Sequence, residues 1–151
     1  MAIQYPYLPE GREIKYVSED NVFMRAARDY ALAHSLDNFQ KTGSVVVQRE
    51  RVIGRGANGS LYHKEYGCER VRQHIPTGDR YDLCEGCHPK NHSEPKALAD
   101  ARTRGETTHG ADLYLYGHWW CCKPCWDAMI DAGIRNVYLL EGSEKLFNTK
   151  R

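Results

Sequence analysis

Two short motifs, far apart in the chain, restrict its fold more than any other feature: His92-Ser93-Glu94 followed by a proline, and Cys122-Lys123-Pro124-Cys125. Each stands where a helix should begin. Pro95 is tolerated in a first helical turn and Gly105 stops the run that ends at Arg104, so Glu94 opens one helix with His92 just before it. Pro124 opens another, which runs to Ala132 and stops at Gly133. Cys122 and Cys125 share a face at that start, where the helix terminus favours the thiolates that zinc requires. One imidazole and two thiolates around Zn²⁺ leave a fourth position for water. Glu94, too close in sequence to His92 to join the same shell comfortably, is set to accept that water's proton. HxE by itself is weak, and CxxC by itself usually means structural zinc or redox work. In this order, each opening a helix, the two motifs point to a catalytic metal.

The rest of the chain reads as one α/β domain. Ser18 is expected to cap a helix that ends near Ser35 and turns Phe23, Ala27, Tyr30 and Ala31 to one face. Gly43 to Gln48 and Val52 to Ala57 are β-branched runs joined by Arg49-Glu50-Arg51, the pattern of a hairpin, and Asn58-Gly59 closes the second strand. Leu113 to Tyr116 and Val137 to Leu140 are apolar strands on either side of the second motif's helix, which makes a right-handed parallel crossover. A mixed sheet with helices packed against it follows. The tail beyond Glu141 is too short to assign.

At 151 residues the chain supports a single domain, residues 1–151, with an irregular insertion at about 61–91 that needs a staple. The start lacks a basic leader and a signal-type apolar run, and no stretch reaches membrane-spanning length, which is the pattern of a cytoplasmic chain. There, six cysteines are ligands before they are disulfides. They form two sets: Cys68, Cys84 and Cys87 in the insertion, and Cys121, Cys122 and Cys125 later. Two zinc ions become plausible. Cys121 has proline at the position where a CxxC partner would stand, so it reads as a neighbour of the site. A net charge of +1 gives no global attraction to nucleic acid.

These residues resemble the zinc-dependent cytidine and deoxycytidylate deaminase superfamily, whose signature is HxE followed by PCxxC. The similarity runs from about Phe23 to Leu140 and includes Met24, Ala27, Lys41-Thr42-Gly43-Ser44-Val45-Val46-Val47, Gly56-Ala57-Asn58-Gly59 and Ala132-Gly133-Ile134. It implies a three-layer α-β-α fold, zinc on His92, Cys122 and Cys125, and Glu94 as the proton shuttle in hydrolysis of a cytosine amino group. Asn58 matches an asparagine that contacts the sugar in that family, although Asn-Gly is also an ordinary turn. The cysteine insertion resembles the second zinc site of deoxycytidylate deaminases, with the fourth ligand open among His63, His74 and His88. It favours dCMP as substrate, and the family resemblance as a whole implies a homo-oligomer.

Four departures bear on the substrate. Cys121 stands where the family has proline, Pro95 and Trp126 stand where it has small residues, and His118-Trp119-Trp120 precedes the second motif. Trp119 and Trp120 either stack on a pyrimidine or fill the core; Trp126, beside Met129 and Ile130, reads as core. A 5′-phosphate needs a cation, and Arg25, Arg28, Lys41, Arg70 and Lys90 are available. Two other functions compete: deamination of cytosine or adenine in nucleic acid or of another nucleobase or nucleoside, and a non-catalytic zinc protein. The second has no use for an unliganded acid at position 94.

Overall fold

Five strands form one mixed sheet, in the spatial order β1 (Ile14–Val17), β5 (Asn136–Leu140), β4 (Asp112–Tyr116), β2 (Gly43–Gln48) and β3 (Arg51–Ala57). The computed structural model describes residues 7–37, 40–75, 81–84 and 87–148, without the side chains of His63, Lys64 and Asp82. β2 pairs antiparallel with β3 and β4, whereas β4 with β5 and β5 with β1 are parallel. Successive strand residues point to opposite faces, and the buried positions divide accordingly. Val45, Val47, Tyr114 and Leu140 pack with Met24 and Ala27 of α1 (Val22–His34). Val46, Leu113, Leu115, Val137 and Leu139 pack on the other face with Ala97, Leu98, Trp126 and Met129. The latter four belong to α4 (Ser93–Thr103) and α5 (Lys123–Asp131), so the expected three layers are present.

The first helix begins later than the sequence suggests. Asn21, not Ser18, is the cap: its Oδ1 accepts from the backbone N–H groups of Phe23 and Met24, both at 3.0 Å. Two otherwise orphaned donors are thereby satisfied by one side chain. Ser18 instead accepts from Asp20 N and closes the turn before the helix. The buried face is Met24, Ala27 and Ala31, with Phe23 and Tyr30 only half-buried. The hairpin is tighter than read, because Arg49 and Glu50, at φ +53° and +60°, make a two-residue loop and Arg51 joins β3. β1 and α6 (Ser143–Phe147) are additions to the sequence reading; β1 borders β5, and Phe147 of α6 meets Tyr116 edge-on.

The insertion holds more local helix than its composition suggests: α2 (Leu61–Tyr66), α3 (Glu69–Arg72) and 3₁₀ turns at Tyr81–Leu83 and Pro89–Asn91. Its interior is a small separate cluster in which Cys68, Cys84 and Cys87 are packed by Tyr62, Val71 and Tyr81. Among the described residues no helix is long and apolar enough to cross a membrane.

Two glycines seat the helices on the sheet. Gly43 lies under Ala27 and Ala31 of α1, and Gly56 lies under Ser93, Lys96 and Ala97 at the first turn of α4. A Cβ on Gly56 would meet backbone atoms of Ser93 and Ala97, which cannot rotate away as a flexible side chain would. Gly56→Ala is therefore expected to destabilise the fold by about 1–3 kcal/mol through overpacking. It should also lower activity, because the displaced turn carries Glu94; a chemical denaturation curve and a rate assay on the same sample check both.

Candidate active site

α4 and α5 approach the sheet so that their first turns meet. His92 is the residue before α4 and Cys122 the residue before α5, both in extended backbone, and neither uses its side chain to cap its helix. Both side chains are thus available to each other. His92 Nδ1 lies 3.4 Å from Cys122 Sγ and 3.4 Å from Cys125 Sγ, and the two sulfurs are 3.1 Å apart. Zinc bonded tetrahedrally at about 2.0 Å to nitrogen and about 2.3 Å to sulfur needs edges of roughly 3.6–3.8 Å. The triangle fits one such ion once the sulfurs part by roughly 0.6 Å.

The electrostatics suit a cation. A hydrogen bond from the Cys125 thiol, aided by His92, outweighs burial and holds the Cys122 thiol down at about 6. This shift favours the thiolate form of Cys122 that a zinc ion requires. Burial pushes Cys125 the other way, and its thiol proton serves the bond to Cys122. Burial opposes charge on His92, but the Cys122 thiolate and Glu94 prevail and raise its pKa. A ring N–H of His92 donates to the backbone carbonyl of Cys87. Since Nδ1 faces the sulfurs, this donor is Nε2, and the bond fixes both tautomer and ring orientation. Tyr81 meets the same ring edge-on at 5.2 Å.

Glu94 is buried on the wall of a solvent-connected pocket, with His92, Cys122, Asn58, His118 and Trp120 also lining it. Its Oε1 accepts from Ser93 Oγ at 3.0 Å. Cys121 is fully buried, and that burial together with the nearby Glu94 carboxylate pushes its thiol pKa well up; it joins neither set of ligand atoms.

The remaining sequence candidates divide. Asn58 reaches the cavity, yet its amide braces the loops around it: Oδ1 accepts from Ser35 Oγ and Thr42 N, and Nδ2 donates to Gln40 O at 2.8 Å. Trp120 lines the cavity, whereas Trp119 is not among its lining residues and stacks on His118 at 4.5 Å and 9°. Trp126 is core, 1% exposed. Of the five cations considered for a phosphate, Arg70 lines the cavity and Arg25, Arg28, Lys41 and Lys90 do not.

The insertion's cysteines also converge. One sulfur each from Cys68, Cys84 and Cys87 lies within 4.8 Å of the others, the Cys68 and Cys87 sulfurs 3.5 Å apart. Neither His74 nor His88 joins them: His74 is exposed, and His88 Nδ1 accepts from Lys90 N to cap a 3₁₀ turn. The side chain of His63 lies outside the described residues. Sequence reasoning missed the group that does reach this cluster. Buried Arg70 donates from Nη1 to Cys87 Sγ at 3.3 Å and lies 4.6 Å from the centre of the Tyr81 ring. Its place two residues after Cys68 was the available signal.

Residues 17–141 match the family model described as the cytidine and deoxycytidylate deaminase zinc-binding region. ComE operon protein 2 of Bacillus subtilis (strain 168) is 27% identical over 129 residues, covering 83% of this chain and 60% of that protein. The diaminohydroxyphosphoribosylamino-pyrimidine deaminase of Buchnera aphidicola subsp. Schizaphis graminum is 30% identical over 101 residues, covering 64% of this chain and 48% of that protein. The chain thus spans about half to three-fifths of the length of these curated relatives. Among solved structures, dCMP deaminase from the cyanophage S-TIM5 shares the fold, with a TM-score of 0.53 at 20% identity over 83% of this chain and 89% of that one.

Proposed function

The chain belongs to the cytidine and deoxycytidylate deaminase family, and on that premise we propose that it removes the amino group of a cytosine nucleotide by hydrolysis, with dCMP the preferred substrate. One observation carries this reading: His92, Cys122 and Cys125 converge at two helix starts beside a buried acid, Glu94, that belongs to neither ligand set. Zinc held by one imidazole and two thiolates supplies Lewis-acid activation of water. The protein's own groups do the rest. The Cys87 carbonyl keeps His92 aimed at the sulfurs, and Glu94 takes one proton from the attacking water to the ring nitrogen, then carries the remaining hydroxyl proton to the amino group, which leaves as ammonia as the carbonyl forms.

Arg70 supports a phosphorylated substrate, since it is the Arg or Lys side chain lining the cavity among the described residues. Trp120 on the same wall supports a flat base, and Asn58 offers the second N–H of its amide to a sugar. A second zinc on Cys68, Cys84 and Cys87 belongs to the same proposal. Three thiolates around a divalent ion leave one negative charge, and the Arg70 guanidinium beside Cys87 offsets it. About two zinc ions per chain are therefore expected by elemental analysis; a single one would remove the insertion site. Residues 1–151 act as one deaminase domain in this reading, as a homo-oligomer in the cytoplasm.

The test is ammonia release from dCMP, CMP, deoxycytidine and a single-stranded oligonucleotide at equal concentration. dCMP should be the best substrate by kcat/KM, and Arg70→Ala should raise the KM for dCMP more than for deoxycytidine. Turnover of the oligonucleotide with none of dCMP would overturn the assignment.

A further inference from the structure

Ser44 and Ser93 stand out as buried hydroxyls with no part in the metal chemistry. Both are 0% exposed. Ser44 lies on β2 between Gly43 and the valine run, two residues before Val46, so it faces the layer that holds α4. A fully buried hydroxyl in that position is costly unless it is hydrogen-bonded. Its oxygen is 2.8 Å from that of Ser93, the first residue of α4.

The direction of the chain of bonds can be worked out. A carboxylate accepts and does not donate, so the single hydroxyl proton of Ser93 goes to Glu94 Oε1, at 3.0 Å. Ser93 then has only lone pairs to offer Ser44, and Ser44 must be the donor between them. From these contacts we propose that Ser44 and Ser93 form a positioning relay for Glu94: strand β2 holds Ser93, and Ser93 holds one carboxylate oxygen. With Oε1 engaged, Oε2 is the oxygen that exchanges protons with the reacting groups. A glutamate side chain has three torsions to fix, and anchoring it through Ser93 to strand β2 keeps it in one geometry before substrate arrives.

The relay rests on the reading of Glu94 as the proton shuttle, and the experiment separates the two. Ser93→Ala and Ser44→Ala remove one oxygen each and add no bulk. Both variants should keep the zinc content and the KM for dCMP of the parent protein, while kcat falls about ten- to a hundredfold for Ser93→Ala. The double variant should be no worse than Ser93→Ala, because Ser44 acts only through Ser93. Unchanged kcat in Ser93→Ala, losses that multiply in the double variant, or a loss confined to KM or zinc content would each overturn the relay. If Glu94→Gln itself turns over normally, the shuttle reading fails instead. A thermal melt gives a readout independent of activity: Ser93→Ala should lower the Tm of the parent more than that of Glu94→Ala, where only the bond to Ser44 remains to be lost. Equal shifts in both backgrounds would show that Ser93 does not hold Glu94.

Discussion

Replacing Glu94 with alanine should leave a folded protein with undiminished zinc and a deamination rate lowered by about 10²–10⁴, the usual worth of a positioned general acid–base group. The side chain lies outside the His92, Cys122 and Cys125 set, so nothing that grips the metal is removed. The cost falls on chemistry because the same carboxylate must take a proton and give it back within one turnover. Removing a buried acid that accepts from Ser93 also relieves desolvation, so the variant should melt within a few degrees of the parent. Glu94→Gln keeps the shape and the acceptor for Ser93 but cannot accept the proton, and it should be as inactive as Glu94→Ala. Steady-state ammonia release with elemental analysis of the same preparations decides the matter. An active Glu94→Gln protein would remove the shuttle assignment.

The second large effect is expected from Cys84→Ala, and it should reach beyond its own cluster. A structural zinc on Cys68, Cys84 and Cys87, as proposed above, would contribute about 10–16 kcal/mol of apparent binding free energy, much of it spent on folding the segment that carries it. Without that cluster the insertion retains only short helices and a few packed aromatics. Its loss does not stop there, because Cys87 supplies the carbonyl that orients His92 and Tyr81 packs against the same imidazole. Cys84→Ala should therefore lose zinc at the insertion and, as a consequence, weaken the catalytic site. Loss of an outer partner of a ligating histidine typically costs 10–100-fold in metal affinity or activity. The reverse coupling should be weak. Cys125 sits on α5, buried against the main core, so Cys125→Ala should empty the catalytic site while the insertion keeps its ion. Zinc counts on the two variants, with protease sensitivity of residues 61–91, measure the asymmetry. Full activity in Cys84→Ala would show that the two clusters are independent.

Much of the architecture could be read locally. The valine run of β2, the charged loop at Arg49 and Glu50, and the proline-opened helices at Ser93 and Lys123 carry their conformations in adjacent residues. Other elements could not. Ile14–Val17 has no strong pattern of its own and becomes a strand by parallel pairing with β5, more than a hundred residues later in the chain. The start of α1 depended on which of two capping residues satisfied more backbone donors, and Asn21 satisfied two. Asn58, read as a turn or a sugar contact, also braces the pocket edge, because Ser35, Gln40 and Thr42 come together around its amide.

The chemistry of the site was written in residue types and short spacings: two thiolates a helical turn apart, an imidazole and an acid at another helix start. Tertiary structure decided what surrounds them. That Cys87 aims His92, that Arg70 donates to Cys87, and that Ser44 reaches Glu94 through Ser93 are contacts between distant segments. A ligand's identity is a property of its own side chain, whereas its orientation depends on partners that only the folded packing brings within bonding distance.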